Sequence, residues 1–324
     1  MIEVKNLTKH FDVRKAVDDV SFAIEKGEIL GFMGPNGAGK STTMRMITGY
    51  LPPTSGTAVI GGRDIVADPL AARQKIGYLP ENAPVYREMT VSGFLDFIAE
   101  VRGITGRRRQ KILSETIERC FLSEVRTQPI GTLSKGFKQR VCFAQSIIHD
   151  PEYLVLDEPT DGLDPNQKHE VRQMILEMSA RKGIILSSHI LDEVDAVCSR
   201  VMIIDAGKVV ADDTPDGLRA RSASHGAVSV TVSGALSDDL MAAIGALPEV
   251  AECRVLEEAG KKRLRVFPRQ PGRSIAEQVL AAAAQNGAEV SSIFVEQGRL
   301  DEVFRNITTG GHDPAPHPEQ QPER

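Results

Sequence analysis

Residues 34–42 read GPNGAGKST, satisfying the spacing G-x-x-x-x-G-K-[ST] between an apolar run, EILGFM, and a helix-like stretch, KSTTMRMITGYL. Gly34, Gly37 and Gly39, interspersed with Pro35, Asn36 and Ala38, allow backbone N–H groups to converge on phosphate oxygens, and the helix start adds partial positive charge. Lys40 is placed to reach the β- and γ-phosphates of a nucleoside triphosphate, and the hydroxyl of Ser41, followed by Thr42, to hold Mg²⁺. A bare glycine turn before a helix is the plainer alternative, but strand, spacing, lysine and hydroxyl all point to the triphosphate.

A second apolar run, YLVLDEPT at 153–160, ends in two adjacent acids. Beside a phosphate cradle they divide the work: Asp157 binds Mg²⁺ directly or through water, and Glu158 polarises an attacking water. His189 closes a further apolar run, IILSSH, where an imidazole can hydrogen-bond the γ-phosphate; alone, a strand-end histidine reads as structural. In LSKGFKQR at 133–140, Ser134 can cap a helix and Gly136 lets another group approach the backbone, which describes an anion site whose anion lies elsewhere.

These residues need a frame. Residues 2–60 alternate short apolar strands with turns, and from about 84 to 150 the periodicity turns helical, with Thr90 as a cap before VSGFLDFIAEV. YLVLD, GIILSSH and RVMIID then alternate with helical segments, the pattern of a mostly parallel, helix-covered sheet. A nucleotide-binding domain is therefore expected over 1–218 and a small-residue linker, RARSASHGA, over 219–227. Strand, helix, strand, strand, helix, strand follow over 228–296, a small α+β βαββαβ unit closed by RLDEVFRNIT and bounded at 309. The proline-rich stretch 310–324, with His312 and His317, reads as a disordered tail rather than a metal site.

Composition narrows the classes of function. The 324 residues are 41% hydrophobic with a formal net charge of -5, so no basic face announces nucleic acid. The single basic run, Arg107, Arg108, Arg109 and Lys111, reads as a solvated helix face. Cys120, Cys142, Cys198 and Cys253 are far apart in sequence and read as reduced thiols in a cytosol. No apolar run approaches the roughly 20 residues needed to cross a bilayer, and the chain is expected neither to span a membrane nor to be secreted.

Taken together, these motifs resemble, in order and over residues 2–215, the ATP-binding subunit of an ABC transporter. In that family's terms GPNGAGKST resembles the Walker A loop, YLVLDE the Walker B strand, DGLDP with Asp164 the D-loop, and His189 the switch histidine. Phe11 in LTKHF matches the aromatic that stacks on adenine, and LSKGFKQR is similar to the signature motif. The resemblance implies that Ser134, Lys135 and Gly136 face the γ-phosphate held by the Walker A loop of a second subunit. ATP and Mg²⁺ would then close a head-to-tail homodimer with two composite sites.

The match departs from the pattern at Lys135, usually glycine, at Phe137, usually glutamine, and at Glu81, where most members carry a glutamine that touches Mg²⁺. Lys135 either strengthens closure or points to solvent; Glu81 can still ligate Mg²⁺ but brings a charge and loses the amide donor. The implied fold is α/β: a P-loop ABC ATPase core, mostly parallel sheet plus an antiparallel N-terminal β subdomain, with a helical insertion and a small α+β C-terminal domain. GYLPE, LSKGFKQR, MITGYLPPTSG and LDEVFRNIT together look most like the ABC-2 type exporter branch, and within it most like gliding-motility-type transporter ATPases. The implied partner is an ABC-2 type integral-membrane permease docking around residues 82–100, with the subunit peripheral on the cytoplasmic face of the membrane. An ABC-type ATPase acting on nucleic acid or ribosomes is the alternative, and a P-loop kinase leaves LSKGFKQR and His189 without a role.

Overall fold

In the computed structural model, residues 1–82, 84–233, 236–258, 261–270 and 272–308 are described. The chain divides into two units, Met1–Thr214 and Pro215–Arg324. The first begins with β1 (Ile2–Phe11) and β2 (Arg14–Ile24), antiparallel from Ile2↔Ile24 to Phe11↔Arg14, with Asp12 at φ 49 in the tight turn between them. β3 (Ile29–Met33) and α1 (Lys40–Ile47) come next, then β4 (Ser55–Ile60) and β5 (Arg63–Asp64). β4 pairs with the free edge of β1, giving an antiparallel sheet in the order β2-β1-β4-β5.

α2 (Pro69–Gln74) and β6 (Ile76–Leu79) lead into the helical stretch α3 (Val91–Val101), α4 (Gly106–Arg119) and α5 (Lys135–Ile147). Thr90 Oγ1 accepts from Gly93 N at 3.1 Å and starts α3, whose Val91, Phe94, Leu95 and Ala99 form one buried stripe. The basic run on α4 is a charged surface: Arg109 pairs with Asp96 and Glu100 of α3 while Arg107, Arg108 and Lys111 are exposed.

β7 (Tyr153–Asp157), α6 (Pro165–Ser179), β8 (Gly183–Ser187), α7 (Leu191–Val197), β9 (Arg200–Asp205) and β10 (Lys208–Asp213) complete the unit. The large sheet runs β10-β9-β3-β8-β7-β6 and is parallel throughout except for the β9–β10 hairpin. Every residue of β3, β7 and β8 is buried, as expected of strands that are apolar on both faces. The carboxyl ends of these strands carry the residues singled out in the sequence, which is where an open α/β sheet places its ligands.

The second unit comprises α8 (Pro215–Arg219), β11 (Val228–Val232), α9 (Asp238–Gly245), β12 (Val250–Glu258), β13 (Lys261–Pro268), α10 (Ala276–Gln285), β14 (Val290–Val295) and α11 (Leu300–Thr308). Its antiparallel sheet runs β12-β13-β11-β14, with Val228, Val230, Leu264 and Val266 packed against Ile244 of α9 and Val279 of α10.

The boundary differs from the one expected at residue 218, and residues 219–227 are not a free linker. Ser222 and Ser224 are buried and donate to the Glu302 carboxylate of α11, while Gly226 N donates to Glu296 O. Small polar residues sit here because hydroxyls satisfy a carboxylate, not because the chain swings free. Residues 310–324, with His312 and His317, lie outside the described residues. All four cysteines are free, and burial pushes the Cys120, Cys142 and Cys198 thiols up to about 12. No helix among the described residues is long and apolar enough to cross a membrane.

Candidate functional site

β3 delivers the chain into the loop that precedes α1. A Cβ on Gly34 would lie 2.1 Å from the Ile204 carbonyl oxygen of β9, so only glycine fits between the loop and the sheet. Gly39 stands at φ 110 as the N-cap of α1 and supplies no side-chain cap, which leaves the helix start open to an anion. Gly34→Ala is therefore expected to lower stability by at least about 2 kcal/mol in urea melts. An unchanged midpoint would show that the loop does not need this close approach.

Lys40 is buried, and its Nζ donates to the carbonyls of Gly34 at 2.6 Å and Pro35 at 3.1 Å. Burial pushes its pKa down, opposed by the charges of Glu158, Asp157 and Glu81. A cavity of about 590 Å³ opens here, lined by Asn36, Gly37, Gly39, Lys40, Ser41 and Thr42. The same cavity is lined by Phe11 from β1, Arg14 from β2, Glu81 after β6, and Asp157 and Glu158 after β7. Ala38 is buried within the loop, its N–H donating to Pro35 O. Phe11 is half exposed, with Lys9 Nζ 5.3 Å from the centre of its ring.

The two adjacent acids occupy different environments. Asp157 is 1% exposed; its Oδ1 accepts from Ser187 Oγ at 2.5 Å, and its Oδ2 is buried with no hydrogen-bond partner among the described residues. A buried carboxylate oxygen without a donor is costly, and a hard cation satisfies it. Ser41, Glu81 and Asp157 thus form an all-oxygen donor set suited to Mg²⁺.

Glu158 turns the chain at φ 50, and its N–H donates to Ser187 Oγ at 3.1 Å. Its Oε2 lies 2.9 Å from His189 Nδ1. Burial raises the pKa of Glu158, and the neighbouring His189 opposes the rise. A carboxylate with a raised pKa beside an imidazole is suited to taking a proton from water.

The remaining sequence candidates line none of this cavity. Ser134 caps α5, its Oγ accepting from Phe137 N at 3.4 Å, and Gly136 is so close to α6 that a Cβ there would meet Gln167 Oε1 at 2.5 Å. Lys135 pairs with Asp161 Oδ2 at 2.7 Å on the exposed surface, a contact that neither of its two expected roles named. Asp164 caps α6, its Oδ1 accepting from Gln167 N at 2.9 Å.

Comparison with known proteins separates a fold from a family. The "Linearmycin resistance ATP-binding protein LnrL" of Bacillus subtilis is 32% identical over 309 residues, spanning 95% of this chain and 98% of that protein. The chain belongs to the ABC transporter ATP-binding proteins. The family model described as "ABC transporter" matches residues 17–161. The "Lipopolysaccharide export system ATP-binding protein LptB" of Haemophilus influenzae is 36% identical over 220 residues, 67% of this chain and 91% of that one. Among solved structures, an ATP-binding subunit of an ABC transporter superposes with a TM-score of 0.64 at 31% identity, covering 68% of this chain and 92% of its own. The ATP-binding cassette MJ0796, a dimer bound to ADP and Pi, shares the fold at 23% identity with a TM-score of 0.62, covering 66% of this chain and 98% of its own. This ABC subunit is an ATPase by family, and ATP is its nucleotide.

Three residues of the ABC subunit's site carry no motif in sequence. Arg14 enters the cavity because the β1–β2 register sets it opposite Phe11, and its Nη2 donates to Gly37 O at 3.2 Å. Ser187 reaches Asp157 because the parallel β7–β8 register pairs them. Glu193 of α7 is buried and accepts from Thr160 Oγ1, Ser188 Oγ and Lys168 Nζ, tying the segments after Glu158 and before His189 to one carboxylate. Glu193→Ala strands these donors and is expected to lower stability by about 3 kcal/mol. A loss below about 0.5 kcal/mol in denaturant melts would mean the network carries no load.

Proposed function

We propose that this ATPase works as a homodimer in which each chain completes the other's nucleotide site, driving export through a separate ABC-2 type permease. The observation that carries this reading is a division within one chain. The loop, Lys40, Asp157 and Glu158 share a cavity, while Ser134, Lys135 and Gly136 open α5 outside it. A helix start with a serine hydroxyl and a bare glycine suits a phosphate, and the phosphate is the γ-group of ATP held by the partner copy.

At each site Phe11 stacks on adenine, the backbone of residues 34–42 and Lys40 bind the phosphates, and Ser41, Asp157 and Glu81 hold Mg²⁺. When bound, Mg²⁺ neutralises charge on the phosphates. Glu158 accepts the proton of a water whose oxygen bonds to the γ-phosphorus as the bond to the β–γ bridging oxygen breaks, leaving ADP and phosphate. His189 keeps the Glu158 carboxylate aimed and meets the γ-phosphate, and Asp164 orders the loop between the two copies. Loss of the γ-phosphate removes the contact to the partner's Ser134 segment, and the dimer opens.

The names LnrL and LptB bear, resistance to linearmycin and lipopolysaccharide export, favour the outward direction. The surface around residues 82–100 is the docking face for the permease, which places the subunit peripherally on the cytoplasmic side. The second unit, which begins at Pro215, is an accessory domain of this subunit. Fractionation tests the partnership: the subunit is expected to sediment with membranes when the neighbouring permease is co-expressed and to stay in the supernatant without it. Equal partition in both cases would contradict a membrane partner.

A further inference from the structure

Lys135, the cation in the signature segment where the resemblance leads one to expect glycine, is still without a task. Its ammonium meets Asp161 Oδ2 at 2.7 Å and holds that carboxyl below the usual carboxylate range. Its aliphatic stem lies across Gly162, where a Cβ would fall 2.5 Å from Lys135 Cδ and 2.6 Å from Cε. At φ +72 Gly162 holds a left-handed conformation in which a side chain would be strained, and the lysine stem occupies the space its bare Cα leaves.

The contact continues along the first turns of α5. Gly136 packs on Gln167, and Gln139 Nε2 donates to the Glu158 carbonyl at 3.2 Å. Asp161 N donates to the same Glu158 carbonyl at 3.1 Å, so Asp161 is one hydrogen bond from the residue beside His189. Glu158 itself stands at φ 50, a conformation a non-glycine residue keeps only where its surroundings enforce it.

We infer that Lys135 is a positioning residue: by gripping Asp161 it holds the loop of residues 158–164 on the start of α5, so that displacement of the signature segment is passed to Glu158 of the same chain. The inference rests on the composite-site reading above, in which that segment meets the partner's nucleotide. It adds a link running from one nucleotide site to the catalytic acid of the other. Both side chains of the pair are exposed, and exposed ion pairs contribute little to stability, so the effect lies in where Glu158 sits. Displacement of a reacting group by about an ångström is enough to slow chemistry severely.

A double-mutant cycle on the full chain tests this. Lys135→Ala and Asp161→Asn are each expected to lower kcat about fivefold while KM for ATP and the melting temperature hold, with the double variant no slower than either single one. Losses that multiply in the double variant, an inert Asp161→Asn, or a wild-type kcat in Lys135→Ala would each overturn it. A rise in KM confined to Lys135→Ala would instead assign the lysine to the partner's nucleotide, and would also overturn it. Adding Glu158→Gln to Lys135→Ala and weighing the product in Mg-ATP separates the two claims. A trapped dimer with multiplying losses removes only the positioning role, whereas no dimer even with Lys135 intact removes the composite site on which it rests.

Discussion

Glu158→Gln is expected to lower ATP turnover by about 10³-fold while leaving ATP affinity within a factor of two. Glutamine keeps the shape and still accepts a hydrogen bond, but it cannot take the proton of the attacking water. The flanking geometry should persist, because Ser187 holds the Glu158 backbone N–H and Gln139 its carbonyl, and neither bond uses the carboxylate. The wild-type enzyme should show the complementary pH effect. Burial raises the Glu158 pKa above its ordinary 4.5, and only the ionised form is a base, so kcat rises with pH through that raised value. Phosphate release measured against pH checks both points; an unchanged rate in the variant would remove Glu158 as the base.

Lys40→Ala is expected to act one step earlier and to weaken ATP binding by roughly 10- to 100-fold. Charge-assisted hydrogen bonds to phosphate are worth about 1.5–3 kcal/mol, and each 1.4 kcal/mol is tenfold in affinity. Here the ammonium is buried and already held by the Gly34 and Pro35 carbonyls, so it is placed at the loop before nucleotide arrives and needs little reorganisation. Titration with a fluorescent ATP analogue measures the loss; unaltered affinity would take Lys40 out of the binding site. The contrast between the two variants, turnover lost in one and binding in the other, separates the acid's role from the cradle's.

The parts that were legible in sequence are those where one local rule decides. Apolar runs at β3, β7 and β8 have to be covered on both faces, caps at Thr90 and Ser134 start helices, and the glycine-lysine spacing marks the phosphate loop. The α/β fold class follows from these, and the ABC family from the resemblance of the motifs in their order. What escaped depends on register and burial. Ser187 touches Asp157 only because two strands 30 residues apart pair in one frame. Glu193 reads as one more solvent-facing acid in LDEVDAVC, yet three donors draw it into the interior. Residues 219–227 have the composition of a linker because serines pack as tightly as they solvate. The pairing of Lys135 with Asp161 spans 26 residues, and no spacing rule on either segment announces it.

Shared nucleotide sites are the claim on which the rest depends. The direct measurement is the molar mass of the Glu158→Gln variant by light scattering behind size exclusion, saturated with Mg-ATP. The account expects a species of twice the 35.2 kDa chain that reverts to one chain when ATP is withdrawn. A variant that binds ATP yet remains at the mass of a single chain would contradict it.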